Sequence, residues 1–155
     1  MKKIHNSWVN QPGYNCFGCS PDNPHGLKME FYEDGDDIVS IWRPTFDSQG
    51  WIGVLHGGIQ AALADEISSW VIFRKLQTTG VTAKLEARYR KPIYISDDHI
   101  TLRAHLVMQR RNMVEIEVNI FNATDELCNT TNCVYFINTH ESAMKNGFRY
   151  FELEE

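Results

Sequence analysis

Val54-Leu-His-Gly-Gly-Ile-Gln-Ala-Ala-Leu-Ala-Asp-Glu-Ile-Ser-Ser-Trp-Val-Ile-Phe73 is the stretch on which the fold turns. It is helix-forming and apolar, and between His56 and Phe73 its only carboxylates are Asp65 and Glu66. At about 100° per residue, Ile59, Ala62, Leu63, Ile67, Trp70, Phe73 and Arg74 fall on one broad face. Ala61, Asp65, Ser68, Ser69 and Ile72 fall on the other. Both faces are mostly apolar or small, so the helix is expected to be covered on most sides. A carboxylate in that setting is costly unless it is hydrogen-bonded or put to use. Gly57 and Gly58 open the helix where backbone N–H groups have no partner and the dipole is positive, which suits a developing oxyanion.

The sequence on either side supplies strands. Leu27–Tyr32 and Ile38–Arg43 flank the turn Glu33-Asp-Gly-Asp-Asp37 and predict a hairpin. Pro44 to Leu55 is a connector in which Gln49 and Trp51 are placed to line a pocket mouth. After the helix, with Gly80 as its stop signal, come strand-like runs at 81–89, 99–108, 113–121 and 127–137, separated by short turns. Ile100, Leu102, Ala104, Leu106 and Met108 are expected on one side of the second of these. A hairpin, one buried helix and a meander fit an α+β fold, a curved antiparallel sheet wrapped round one long helix, and not alternating βαβ units. One sheet rarely surrounds a helix completely, so a second copy of the chain is expected to supply the missing cover.

Length and charge bound the function. The chain has 155 residues and 43% hydrophobic content, enough for one domain with its own core. It divides into an irregular Pro- and Gly-rich arm at 1–26, the main domain at 27–137, and a polar tail at 138–155 whose position the sequence leaves open. A net charge of −5 argues against nucleic acid as a partner. Neither a signal peptide nor a membrane span is read, and a cytoplasmic protein is expected. Cys16 and Cys19 form a C-x2-C and Cys128 and Cys133 a wider pair, a weak zinc spacing that reads as reduced thiols, with no metal assigned.

Further residues complete a pattern: His56-Gly57-Gly58 with an acid nine residues after the histidine, Cys16-Phe-Gly-Cys19 with Asn23-Pro-His-Gly-Leu27, and Lys84-Leu-Glu-Ala-Arg-Tyr-Arg-Lys-Pro92. Together, over about residues 14–137, they resemble a hotdog-fold acyl-CoA thioesterase of the PaaI-like, phenylacetate-pathway branch. The resemblance implies a five- or six-stranded sheet around the helix, a homodimer or homotetramer with active sites at the dimer interface, an acyl-CoA substrate, and no cofactor. It implies that Asp65 is the base or nucleophile towards the thioester, that the Gly57 amide polarises the carbonyl, and that His56 shapes the site. Where the family often has an asparagine this chain has Gly50, so Gln49 takes the substrate-polarising place. Thr82 fits the family's hydroxyl at the start of the strand after the helix, positioned to orient water.

Each residue also has a plainer reading. Asp65 would be satisfied by Ser68, Ser69 or a base, and His56 would be a structural histidine. Gly58 and Glu66 are assigned to the substrate side, Glu66 also being the alternative acid. Arg88, Arg90 and Lys91 form a basic patch that either holds coenzyme A phosphates or is merely solvated. The acid and the amide hydrogens, displayed by one helix, are expected to converge on one thioester. An acyl-CoA hydratase or dehydratase on the same fold, and a non-catalytic acyl-CoA binder, are the alternatives.

Overall fold

The computed structural model describes residues 1–155. A seven-stranded, wholly antiparallel sheet is built from β1 (Lys2–Lys3), β2 (Tyr32–Asp34), β3 (Asp37–Trp42), β4 (Gly80–Tyr89), β5 (Ile100–Arg110), β6 (Met113–Phe121) and β7 (Leu127–Ile137). Their spatial order is β1-β2-β3-β5-β6-β7-β4, so β4, first after the helix, lies at one edge. The helix α1 (Gly57–Val71) runs across the concave face and buries Leu63, Ala64, Ile67, Trp70 and Val71 against it. This is the hotdog architecture, with the sheet wrapped round one long helix.

Alternation along the strands sets the core. In β6, Val114, Ile116, Val118 and Ile120 are fully buried beneath α1, and in β5 so are Ile100, Leu102 and Ala104. Met108 departs from the expected side: a bulge between Leu106 and Met108 shifts the phase of β5 and turns it outward. The helix does not stop at a glycine. Its last turn widens into a π-helix at Ile72–Leu76 and closes on Gln77 in the left-handed conformation, φ 49°. Both Gln77 side-chain groups are used there: Nε2 donates to the Arg74 and Phe151 carbonyls, and Oε1 accepts the Phe151 N–H.

Two segments depart from expectation. The hairpin is shorter than expected at its first arm, because only Tyr32–Asp34 pairs with β3. Residues 27–31 are instead claimed by the N-terminal arm: Leu27 N–H bonds to Phe17 O, Met29 N–H to Gly18 O, and Ile4 N–H to Phe31 O. The tail contains α2 (His140–Lys145) and then returns beside the arm, where His5 N–H donates to Glu152 O and Glu154 N–H to Lys3 O. Phe148 and Phe151 are fully buried there and close an aromatic cluster with Trp8, Trp70 and Phe73 at the C-terminal end of α1. Arm and tail together therefore cap the end of the helix that the sheet leaves bare.

Candidate active site

The site is built where α1 faces β4 and β7. Asp65 stands on the side of the helix towards the sheet edge and is half-buried. Thr82, near the start of β4, donates its hydroxyl to Asp65 Oδ1 at 2.8 Å. Tyr135, opposite Thr82 in the β4–β7 register, donates its hydroxyl to the same Oδ1 at 2.5 Å and also lies 2.8 Å from the Asp65 carbonyl oxygen. Both hydroxyls converge on Oδ1, so Oδ2 is left for a ligand or water. Burial, with the Asp65 charge beside it, raises the Tyr135 phenol above its ordinary value, so it stays a donor. Burial also pushes the Cys133 thiol up to about 11, which makes it a packing residue rather than a nucleophile.

At the other end of the helix His56 is the N-cap. Its Nδ1 accepts the Gly58 N–H at 2.8 Å, its carbonyl takes the Gln60 N–H, and its own N–H bonds to Ser48 O. The histidine thus occupies the Gly58 amide, and the Gly57 N–H, heading the helix with no carbonyl below it, is the donor left over. Tyr89 on β4 fixes this end by donating to the Gly57 carbonyl at 2.6 Å. Gln49 closes the connector: its Oε1 accepts the Gly53 N–H at 3.0 Å, and its side-chain amide hydrogens have no acceptor in the chain.

The expected convergence of Asp65 and the glycine amides within one chain does not occur. Eight residues at about 1.5 Å each separate Gly57 from Asp65 by about 12 Å along the axis, several times the reach of one carbonyl group. A depression of about 630 Å³ does lie beside the first turn of α1, lined by Phe17, Leu27, Trp42, Thr45, Ser48 and Ile59, but Asp65 is not among its walls. The basic patch also lies apart. Past the bulge between Thr82 and Lys84, Leu85 and Ala87 turn towards the core, and Tyr89 reaches the helix. Arg88 and Arg90 therefore line a polar depression on the opposite face with Glu86, Glu117, Thr130 and Asn132. Lys91 is held by Glu126 at 2.6 Å. Glu66 points away from Asp65 into the N-terminal arm, where its Oε1 receives the Trp70 indole N–H at 3.3 Å and lies 3.4 Å from Cys16 Sγ.

Tyr135 and Tyr89 are site residues that the sequence reading missed. The alternation of Cys133, Tyr135 and Ile137 along β7 puts Tyr135 on the inner face, but nothing in it says that a carboxylate waits there. Behind them, Asn129, fully buried on β7, donates to Gln60 Oε1 at 2.9 Å and accepts from Thr131 at 2.7 Å. This network ties the first turn of α1 to the sheet.

Residues 52–129, half of the chain, match the thioesterase superfamily. The chain belongs to that superfamily. Human acyl-coenzyme A thioesterase 13 and its counterpart in Pongo abelii are each 32% identical to it over 78 residues, 49% of this chain and 55% of theirs. The matched stretch thus spans about half the length of those relatives. Among solved structures, a thioesterase from Haemophilus influenzae superposes with a TM-score of 0.65 at 24% identity, covering 74% of this chain and 80% of its own. A hypothetical thioesterase from Streptococcus pneumoniae, solved with coenzyme A, superposes with a TM-score of 0.66 at 24% identity, covering 72% and 89%. This superfamily member therefore has His56, Gly57, Asp65, Thr82 and Tyr89 inside the matched region, and Tyr135 beyond it.

No helix is long and apolar enough to cross a membrane.

Proposed function

We propose that this chain is an acyl-CoA thioesterase of the PaaI-like branch that hydrolyses a small or medium acyl-CoA as a homodimer. One observation carries the reading: a carboxylate on the central helix, held by two hydroxyls through Oδ1 with Oδ2 left over. The relatives named acyl-coenzyme A thioesterase 13 and the neighbour solved with coenzyme A support the choice of substrate class.

In this mechanism Asp65 Oδ2 takes a proton from water as the oxygen attacks the thioester carbon. The carbonyl oxygen becomes an oxyanion, and the Gly57 N–H at the positive end of α1 stabilises it. Collapse breaks the carbon–sulfur bond, releases the coenzyme A thiolate, which takes up the proton, and leaves a carboxylic acid. Direct attack by Asp65, through an anhydride that water then cleaves, uses the same groups.

Because Gly57 and Asp65 of one chain lie about 12 Å apart, the amide of one protomer works with the carboxylate of its partner. The edge strand β4 is the surface that supports this pairing. It is unpaired along its outer side, and Val81 on it is 65% exposed. Trp51 and Ile52, just before the helix, are 80% and 84% exposed. Exposed apolar residues flanking an open strand edge are what a second copy would cover.

The test is hydrolysis of a panel of acyl-CoAs followed by release of free thiol. Wild type releases thiol, and Asp65→Asn, with an unchanged melting temperature, loses at least about a hundredfold in rate. An unimpaired pure Asp65→Asn protein removes Asp65 from the reaction. A change in double-bond absorbance without thiol replaces the hydrolase by a hydratase.

A further inference from the structure

On the side of α1 away from Asp65, three groups that can lose a proton meet. The N-terminal arm turns at Cys16-Phe-Gly-Cys19 and lays this turn on Glu66, bringing Cys16 Sγ, Cys19 Sγ and a Glu66 carboxylate oxygen all within 4.8 Å of one another. The turn is pressed hard against the helix: a Cβ on Gly18 would lie 2.4 Å from the Glu66 side chain, so only glycine allows this approach. Cys19 is 3% exposed.

The surroundings supply donors but no positive charge. Cys16 Sγ receives the Cys19 N–H at 3.4 Å. Glu66 Oε1 receives the Trp70 indole N–H, and the Tyr14 hydroxyl lies 3.0 Å from Cys19 Sγ and is itself held by Asn6. No lysine, arginine or histidine bonds to any of the three. Backbone N–H groups aimed at a sulfur and an indole N–H aimed at a carboxylate are what ligands of a metal receive from their outer shell. Three such buried groups can shed their protons together only if a cation takes up the charge.

We propose that Cys16, Cys19 and Glu66 form a zinc site that pins the N-terminal arm to the central helix, with a solvent oxygen as the fourth ligand. Two thiolates select a soft divalent ion, and a carboxylate with one oxygen completes a tetrahedral set. Zinc–sulfur bonds of about 2.3 Å and zinc–oxygen bonds of about 2.1 Å place such ligand atoms about 3.5–3.8 Å apart. Cys16 Sγ and Glu66 Oε1 are 3.4 Å apart and no pair of the three ligand atoms exceeds 4.8 Å, so binding needs a closing of the turn by at most about 1 Å as the thiol and carboxyl protons leave. The proposed site joins Cys19 to Glu66, 47 positions away, so cysteine spacing alone does not reveal it. Cys128 and Cys133, on β7, take no part. Glu66 follows Asp65 in the chain, but its side chain bonds to Cys16 and Trp70 while that of Asp65 bonds to Thr82 and Tyr135, so the site stands apart from the thioesterase reading.

The experiment uses the full chain purified without chelator. Mass spectrometry for metals finds about one zinc per chain. After zinc is stripped under reducing conditions, added cobalt(II) gives thiolate-to-metal absorption in the near ultraviolet that saturates at one equivalent. Cys16→Ser with Cys19→Ser abolishes the band, and Glu66→Gln weakens cobalt affinity at least tenfold while retaining thiolate absorption. The cobalt titration of the wild-type protein does not depend on whether any variant folds. Reduced wild-type protein that carries no zinc and gives no thiolate band with cobalt overturns the proposal and leaves the three groups as a proton-sharing cluster. A Cys16–Cys19 disulfide whose reduction yields no cobalt band overturns it equally.

Discussion

At the scale of single residues, the decisive feature is that two hydroxyls compete for one oxygen of Asp65 and none for the other. A base that had to attack through Oδ1 would first break two hydrogen bonds, each worth about 1.5–3 kcal/mol when the acceptor is charged. Oδ2 carries no such cost. Thr82 is half of this arrangement and Tyr135 the other half, and each has its own consequence. Tyr135→Phe keeps the buried ring and removes only the donor. The expected result is a fall in kcat of roughly tenfold with KM little changed, since about 1.4 kcal/mol is a factor of ten and the lost contact orients the base without touching the acyl group. Steady-state thiol release measures this, and a variant with wild-type kcat makes Tyr135 a packing residue. Asp65, nine residues after His56, and Thr82, at the start of the strand after the helix, could be singled out from the sequence by the family resemblance, and the structure brings the two side chains together. Tyr135 could not, because seventy residues of intervening chain place it and only the β4–β7 register brings it opposite Thr82.

Among the elements, α1 is held at its ends by different means. The N-terminal end is fixed by His56 and Tyr89. The C-terminal end is fixed by charge: Glu33 on β2 takes Arg74 Nε at 2.9 Å and Lys75 Nζ at 2.9 Å, with its side chain only 18% exposed. Arg74 above all, and Lys75 with it, hold the Glu33 carboxyl below its usual value of 4.5. A carboxyl whose value is lower folded than unfolded adds stability above the unfolded value and loses it as the pH falls through the folded one. Glu33→Gln should therefore cost about 1 kcal/mol at neutral pH, and the gap between the melting curves of variant and wild type should narrow as the pH falls below the usual 4.5 and through the depressed folded value. Thermal melts across pH 3–7 decide it; a gap that persists in acid means the loss is one of packing. The helix and the strand segments after it could be read from periodicity, but their order could not: only β5, β6 and β7 form a meander, while β4 leaves it and pairs with β7 at the sheet edge. The tail could not, since Phe148, Tyr150 and Phe151 have the composition of a surface segment until Trp8 and Phe73 are brought alongside. The same holds for residues 27–31, whose alternation suits a strand but whose hydrogen bonds go to the arm.

For the whole molecule, the helix length sets the assembly. On the proposed mechanism, an oxyanion donor and a base on one rigid rod about 12 Å apart cannot share a carbonyl, and the reaction calls for two rods. The proposed twofold dimer joined at β4 is one in which each Gly57 faces the other copy's Asp65. This makes a complementation experiment possible with two inactive chains. Gly57→Pro deletes the amide hydrogen at the first position of a helix, where proline is well tolerated. His56 already has φ −57° and ψ 131°, the extended conformation that a following proline demands. A Cβ at position 57 meets Tyr89 no closer than 3.4 Å. Asp65→Asn removes the base and its charge but keeps a side-chain oxygen to accept from Thr82 and Tyr135. Each homodimer should be inactive. When the two are unfolded together and refolded, half of the dimers are mixed, and each mixed dimer has one site with an intact amide from one protomer and an intact carboxylate from its partner. Thiol release should then recover to about a quarter of the wild-type rate per chain, provided the chains assort freely. If the sites were built within single chains, mixing would restore nothing, because every chain lacks one of its two groups.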